Sequence, residues 1–272
     1  MGFKSPFISE IAPDTFAINE FGLSAMYLVV GTEKAMLIDT ACGLSDLKSI
    51  VRSITDLPVE VVLTHGHLDH VGGMSQFDEV WIHPADIDMA KAVTEEELKD
   101  YANMLGQGGA YEVYDYSPDM VNHIDKFPRF LPIEDGQEFD LGGRKITAIA
   151  ISGHTPGGIC FLDKDRRIMF SGDAFNQNTL AVFCTVSHLL QELKKVKALE
   201  PEFDQNFNGH VGFGGMANCF SQPKSVPDDL IHICECILEG KDVYRDDIVM
   251  GKKAAVMEYG NVRLSYDRSM VE

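Results

Sequence analysis

Six consecutive positions bring together three imidazoles and one carboxylate: His65, His67, Asp69 and His70, within T-H-G-H-L-D-H-V-G-G at 64–73. Neutral imidazole and carboxylate are suitable ligands for zinc, iron or manganese. Three further stretches carry the same side-chain types, each directly after a glycine: Gly153-His154, Gly172-Asp173 and Gly209-His210. Glycine there lets the backbone turn while the next side chain points into a shared cleft. Seven such groups exceed the needs of one tetrahedral ion and suit two ions that share a carboxylate. Two metals about 3.5–4 Å apart can hold a hydroxide between them and clamp a substrate oxygen.

Those groups need strands to deliver them. The apolar run at 59–63 reads as a buried strand that ends at the His cluster. Runs at 25–30 and 35–38 read as two strands joined by the turn at 31–34, with Asp39 at the second strand's end. Ser45 is placed to cap a helix whose apolar face is Leu47, Ile50, Val51 and Ile54. A strand at 80–82 follows, then a helix opened by a Thr94/Glu97 capping box and carrying Leu98, Tyr101 and Leu105. The strand at 145–151 and the hairpin 159–162/167–170 lead to His154 and Asp173, and the run at 203–207 leads to His210. Ser187 is placed to cap a helix reaching about Leu199. An amphipathic helix at 227–238 stops at Gly240, and strand-like runs at 254–257 and 262–266 follow. The succession predicts a layered α/β architecture. With no linker or repeat, it predicts one domain over 1–272. Residues 106–131 are irregular and carry Tyr111, Tyr114 and Tyr116. A long irregular stretch in a compact domain either serves function or packs on itself. The expectation here is a substrate-pocket insertion at about 94–131.

Composition narrows the partners. The formal net charge is −19. Such a surface repels phosphate backbones and anionic lipid, which argues against nucleic acid and membrane partners. No stretch is long and apolar enough to span a bilayer, and the first residues lack a secretory pattern. The six cysteines form no disulfide-like framework, so the expectation is a reducing cytoplasm. Oligomeric state is not readable. His83, His123, His188 and His232 lie outside the ligand pattern, with His83 the nearest to the cleft in prospect. Cys234 and Cys236 share a helix at i and i+2, so they face different ways and read as buried thiols. Glu95, Glu96 and Glu97 read as helix-start chemistry favoured by the helix dipole.

H-x-H-x-D-H followed in order by G-H-T-P-G at 153–157, S-G-D at 171–173 and G-H at 209–210, with L-I-D-T ahead of it, resembles the metallo-β-lactamase fold superfamily. The resemblance covers essentially the whole chain. It implies a four-layer αβ/βα sandwich with the metals at one edge of two sheets. It implies that His65, His67 and His154 bind a first ion, that Asp69, His70 and His210 bind a second, and that Asp173 bridges them. Asp69 would also handle the proton of the attacking water, and Asp39 would support the loop. Zinc is the first choice of metal, with iron or manganese as alternatives. Within the superfamily, Asp173 argues against a true β-lactamase. Ala174-Phe175-Asn176 lacks the tyrosine that lactonases of acyl-homoserine lactones carry shortly after the bridging Asp. The glyoxalase II-like and lactonase-like group remains, which implies hydrolysis of a carboxylic thioester, ester or lactone. The alternatives are a small-molecule phosphodiesterase on the same bimetal site, or a non-hydrolytic iron-binding redox or sensor protein.

Overall fold

A computed structural model describes residues 2–181, 183–210, 219–249 and 251–272. The first half builds a seven-stranded sheet from β1 (Phe7–Ala12), β2 (Thr15–Glu20), β3 (Ser24–Val30), β4 (Ala35–Ile38), β5 (Val59–Val62), β6 (Glu79–Ile82) and β7 (Arg129–Pro132), in chain order. The first four strands pair antiparallel, and β4 to β7 pair parallel. Parallel neighbours need crossovers. These are made by α1 (Leu47–Ile54), α2 (Leu68–Val71), α3 (Ile87–Ala92), α4 (Glu95–Leu105) and α5 (Tyr111–Val113). In the second half, β8 (Glu138–Asp140), β9 (Lys145–Ala150), β10 (Ile159–Asp163) and β11 (Ile168–Gly172) form a second sheet. The chain then places β12 (Asn178–Ala181) in another sheet and runs α6 (Val186–Leu199) before β13 (Gln205–Asn208) joins β11 in parallel at the second sheet's edge. Finally α7 (Val226–Leu238) precedes β14 (Arg245–Val249), β15 (Lys252–Tyr259) and β16 (Val262–Tyr266), which complete a third sheet with β12.

Strand alternation decides the layers. In β3 and β4, Tyr27, Val29, Met36 and Ile38 face one core with Ile159, Phe161, Ile168 and Phe170 of the second sheet. Their neighbours Met26, Leu28, Ala35 and Leu37 face the helical layer of Leu47, Val51 and Ala90. On the other side, Cys160, Leu162 and Met169 meet Leu189, Leu193, Leu230 and Ile233 of α6 and α7. The result is the expected αβ/βα sandwich. The third sheet is an addition to it: Ala255, Met257, Leu264 and Tyr266 close the far side of the α6–α7 core.

Two helix starts differ from expectation by one or two residues. Asp46, not Ser45, caps α1, its carboxylate accepting from Ser49 N–H at 3.0 Å. Thr185, not Ser187, caps α6, accepting from His188 N–H at 3.1 Å. The Thr94/Glu97 capping box of α4 forms as read. In the irregular stretch, Tyr114 and Tyr116 pack with Phe21, Leu98 and Ala102 in a satellite core, while Tyr111 is exposed.

Phe170 lies fully buried between the two main sheets, 4.9 Å from Tyr27 between ring centroids. Phe170→Ala is expected to destabilise the fold by about 3–5 kcal/mol through lost contact and the cavity left behind. A lower urea midpoint with an unchanged denaturant slope is the expected reading.

Candidate metal centre

Each ligand-type side chain sits just past the end of a strand. Asp39 follows β4, His65 to His70 follow β5 and run into α2, Asp173 follows β11, and His210 follows β13. His154 lies in the connection between β9 and β10. The structure brings all seven to one edge of the sandwich. Three groupings have their candidate ligand atoms within 4.8 Å of one another: His65/His67/His154, His65/His70/Asp173 and Asp69/His70/His210. His83, His123, His188 and His232 belong to none of these. His83 instead accepts a hydrogen bond from Ala85 N–H at 3.3 Å, and the His232 ring lies 3.9 Å from that of Tyr259.

The glycines ahead of the ligands serve two ends. Gly172 has φ of 49°, a backbone state that favours glycine. At Gly209 the need is space: a Cβ would stand 2.2 Å from His70 Cε1 and 3.2 Å from Asp173 Oδ1.

Hydrogen bonding around Asp39 fixes which imidazole nitrogens carry protons. Asp39 is buried and holds φ at 64°. Its carboxylate accepts from Thr64 N–H at 2.7 Å, from the Thr64 hydroxyl at 2.8 Å and from His70 Nδ1 at 2.8 Å. With its proton committed to Asp39, the Thr64 oxygen accepts from His65 Nδ1, 3.0 Å away. The carbonyl of Leu180 likewise accepts from His154 Nδ1 at 3.1 Å. The Nε2 lone pairs of His65, His70 and His154 are therefore all turned to the cleft. His67 Nδ1 lies 3.1 Å from His65 Nε2 and 2.9 Å from His154 Nε2. One imidazole cannot satisfy two facing lone pairs, so this trio fits a cation held between three nitrogens. Burial, with the neighbouring imidazoles, pushes His65 well below the ordinary range and His67 down to about 4, keeping both neutral.

The other half is anionic. Asp173 Oδ2 lies 2.8 Å from His210 Nε2 and 3.8 Å from His154 Nε2, and its Oδ1 lies 3.6 Å from His70 Nε2. Asp69 Oδ2 lies 3.7 Å from His210 Nε2 and 3.9 Å from His70 Nε2. Burial disfavours a charged His70, yet Asp39, Asp69 and Asp173 outweigh it and raise its pKa to about 10. Three carboxylates around one buried imidazole favour positive charge at this place, and a divalent cation on His70 Nε2 would supply it in place of a proton.

Two residues of the site carry no clear mark in the sequence. Asp86, fully buried, accepts from Gly66 N–H at 3.0 Å, from the Thr155 hydroxyl at 2.6 Å and from Gly157 N–H at 2.7 Å. It ties the His65–His67 loop to the His154 loop. Tyr101, from α4, donates its hydroxyl to Asp69 Oδ2 at 2.8 Å. The only signal for Asp86 is a polar residue shortly after Pro84, which also reads as a helix start. Tyr101 reads as one of the apolar positions of α4.

An αβ/βα sandwich with paired His/Asp groupings at its edge defines a class of metal-binding proteins. Residues 19–203 match the metallo-beta-lactamase superfamily, and the chain belongs to that superfamily. Among relatives, it is 32% identical over 171 residues to acyl-coenzyme A thioesterase MBLAC2 of Bos taurus, covering 57% of this chain and 59% of that one. It is 26% identical over 182 residues to an atrochrysone carboxyl ACP thioesterase of Aspergillus fumigatus, covering 65% of this chain and 48% of that one. The chain thus spans about three fifths or less of the length of these relatives. Solved structures agree on the fold. A metallo-beta-lactamase family protein of Thermus thermophilus has a TM-score of 0.59 at 17% identity, covering 85% of this chain and 82% of that one. The sec-alkylsulfatase Pisa1 of Pseudomonas sp. has a TM-score of 0.60 at 13% identity, covering 86% and 42%. No helix among the described residues is long and apolar enough to cross a membrane.

Two outcomes test the supports of the site. Asp86→Ala is expected to weaken metal affinity by about 10–100-fold, the usual effect of losing a group that orients ligands, read by competition with a chromophoric chelator. Glu20 probes the floor beneath the Asp39 loop. It is fully buried, accepts from Cys42 N–H at 2.9 Å, and burial raises its pKa from 4.5 to about 7. The folded state therefore binds this proton more tightly than the unfolded state. Its stabilising contribution is complete below pH 4.5 and is lost as pH rises through about 7. Glu20→Gln should flatten the pH dependence of the urea midpoint across that window and exceed the wild type at about pH 8.

Proposed function

We infer that the chain is a dinuclear metal-dependent hydrolase acting on a carboxylic thioester, ester or lactone, with a thioester as the first choice. The observation that carries this reading is the sharing of Asp173 between the two halves of the centre, with contacts to His154, His70 and His210. The thioesterase names of the relatives support the choice of substrate class. In this reading His65, His67 and His154 would hold one ion, Asp69, His70 and His210 the other, and Asp173 both. When bound, such ions, zinc first and iron or manganese otherwise, would supply Lewis acidity and ionise water near neutral pH.

The chain's own residues do the rest. Asp69 takes the proton that the attacking water gives up. The Tyr101 hydroxyl holds the Asp69 carboxylate in one orientation. Asp39 keeps His70 Nδ1 protonated and so keeps Nε2 available. Through Tyr101, the segment at about 94–131 reaches the reacting centre, and we assign it the substrate pocket of a single domain. No cysteine among the described residues is in a disulfide, which suits a cytoplasmic location.

The test pairs metal content with turnover of four substrates: an acyl-coenzyme A thioester, a p-nitrophenyl ester, a lactone and bis-p-nitrophenyl phosphate. The thioester should be hydrolysed fastest. Asp69→Ala should lower turnover by about 10²-fold or more, and His154→Ala should lose bound metal as well as turnover. Undiminished hydrolysis in either variant, or a faster reaction with the phosphodiester, would overturn the assignment.

A further inference from the structure

An open trough of 430 Å³ lies beside the His154 loop, lined by Ser152 and Pro156, two positions to either side of His154. Further lining comes from Phe183, Cys184 and Thr185 at the entry to α6, and from Met270 beyond β16. Cys184 fastens its segment to the His154 loop by donating its thiol proton to the Gly153 carbonyl. Phe183 joins the trough to the metal centre, since its ring lies 5.6 Å, between centroids, from that of His67. Folding leaves Phe183 37% exposed, and Pro156, in the same lining, is exposed as well. Apolar groups left uncovered around one cavity, next to a reactive centre, mark a place for an apolar ligand.

The lining also limits what the trough can hold. Among the described residues no lysine or arginine belongs to it, which disfavours a phosphate. The Ser152 hydroxyl and His188 Nε2, both in the lining, lie 3.0 Å apart and are spent on each other. An aliphatic chain asks for neither. The other half of the centre is reached from elsewhere: Tyr101, in the segment at about 94–131, donates to Asp69. We propose that the two flanks divide the substrate, the trough receiving the aliphatic acyl chain of the thioester and the 94–131 segment its thiol portion. The proposal rests on the hydrolase reading above and adds a direction to it, with the acyl chain on the His67/His154 flank and the sulfur toward Asp69. Phe183 and Met270 then set the preferred acyl length by covering methylenes that would otherwise stay in water.

Two readouts on the full, metal-loaded chain test the proposal. The first is kcat/KM across acetyl-, butyryl- and octanoyl-coenzyme A. Octanoyl should exceed acetyl by at least about tenfold. That ratio should drop by at least about tenfold in Met270→Trp, which fills the trough, and should also fall in Phe183→Ala, which removes a wall. The alanine change, at an exposed ring, covers the case in which the tryptophan variant misfolds. The second readout needs no hydrolysis. 1-Octanol, an aliphatic chain without carbonyl or sulfur, should bind saturably in a calorimetric titration, and at least about tenfold more weakly to Met270→Trp. An unchanged octanoyl-to-acetyl ratio in both folded variants, or no saturable octanol binding, would overturn the proposal and leave the thioesterase reading intact. Equal losses at every acyl length would overturn it too, and would give the trough to the pantetheine arm that all three substrates share. Octanol binding weakened by Met270→Trp in a protein that hydrolyses no thioester would instead refute the thioester reading and uphold the aliphatic site.

Discussion

One buried carboxylate organises the candidate metal centre. Asp39 sits at the end of β4, in a left-handed backbone conformation that few residues other than glycine adopt. Asparagine and aspartate tolerate it best because a short polar side chain can bond locally. Here the side chain reaches across to the end of β5 and to α2. Through Thr64 it sets the proton of His65, and directly it sets that of His70. These two imidazoles share a grouping with Asp173, and each also belongs to a grouping without the other. A single negative charge, held rigidly by three donors, therefore aligns lone pairs in both.

The frame around Asp39 is rigid because the ligand loops are tied to each other as well as to strands. Asp86 binds the first histidine loop to the His154 loop. Ala25 N–H donates to the Gly209 carbonyl at 2.8 Å, and the Tyr27 hydroxyl donates to the Asn208 carbonyl, so β3 of one sheet holds the His210 loop of the other. At the opposite end of the sandwich, the buried Arg144 pairs with Asp163 and reaches Thr15 and the Asp14 carbonyl, joining the two sheets again. Fastened at both ends, the sheets leave little freedom for sliding, and the ligand positions inherit that stiffness.

The parts of this arrangement that carry their own local signal are legible in the sequence. Apolar runs mark β4, β10 and β11, and β5 with the one interruption of Glu60, while glycine before each downstream ligand marks where the chain must turn. The residues that go unmarked act at a distance. Asp86 matters because three donors from two remote loops meet on it, and nothing near position 86 announces them. The same holds for strands at sheet edges. β14 reads Arg-Asp-Asp-Ile-Val and looks like a surface loop. It becomes a strand through pairing with β15, helped by cross-strand contacts of Arg245 with Glu258 and of Arg263 with Asp247. The aromatic stretch is legible as unusual but not as to purpose, since Tyr114 and Tyr116 fill a satellite core and Tyr101, in the preceding helix, reaches Asp69.

The separation of the ligands along the chain bears on synthesis. A ribosome releases the chain from its N-terminus, so His65, His67, Asp69 and His70 emerge first with Asp39 already present to orient them. The nitrogen trio closes only when position 154 is out, and the Asp69/His70/His210 grouping only when position 210 is. Until then a nascent chain offers a cation a few ligands and an open coordination sphere. Completion of the candidate ligand set is thus a late event in the life of the polypeptide, coupled to the docking of the second sheet on the first. A chain stalled before that point would be left without a finished centre.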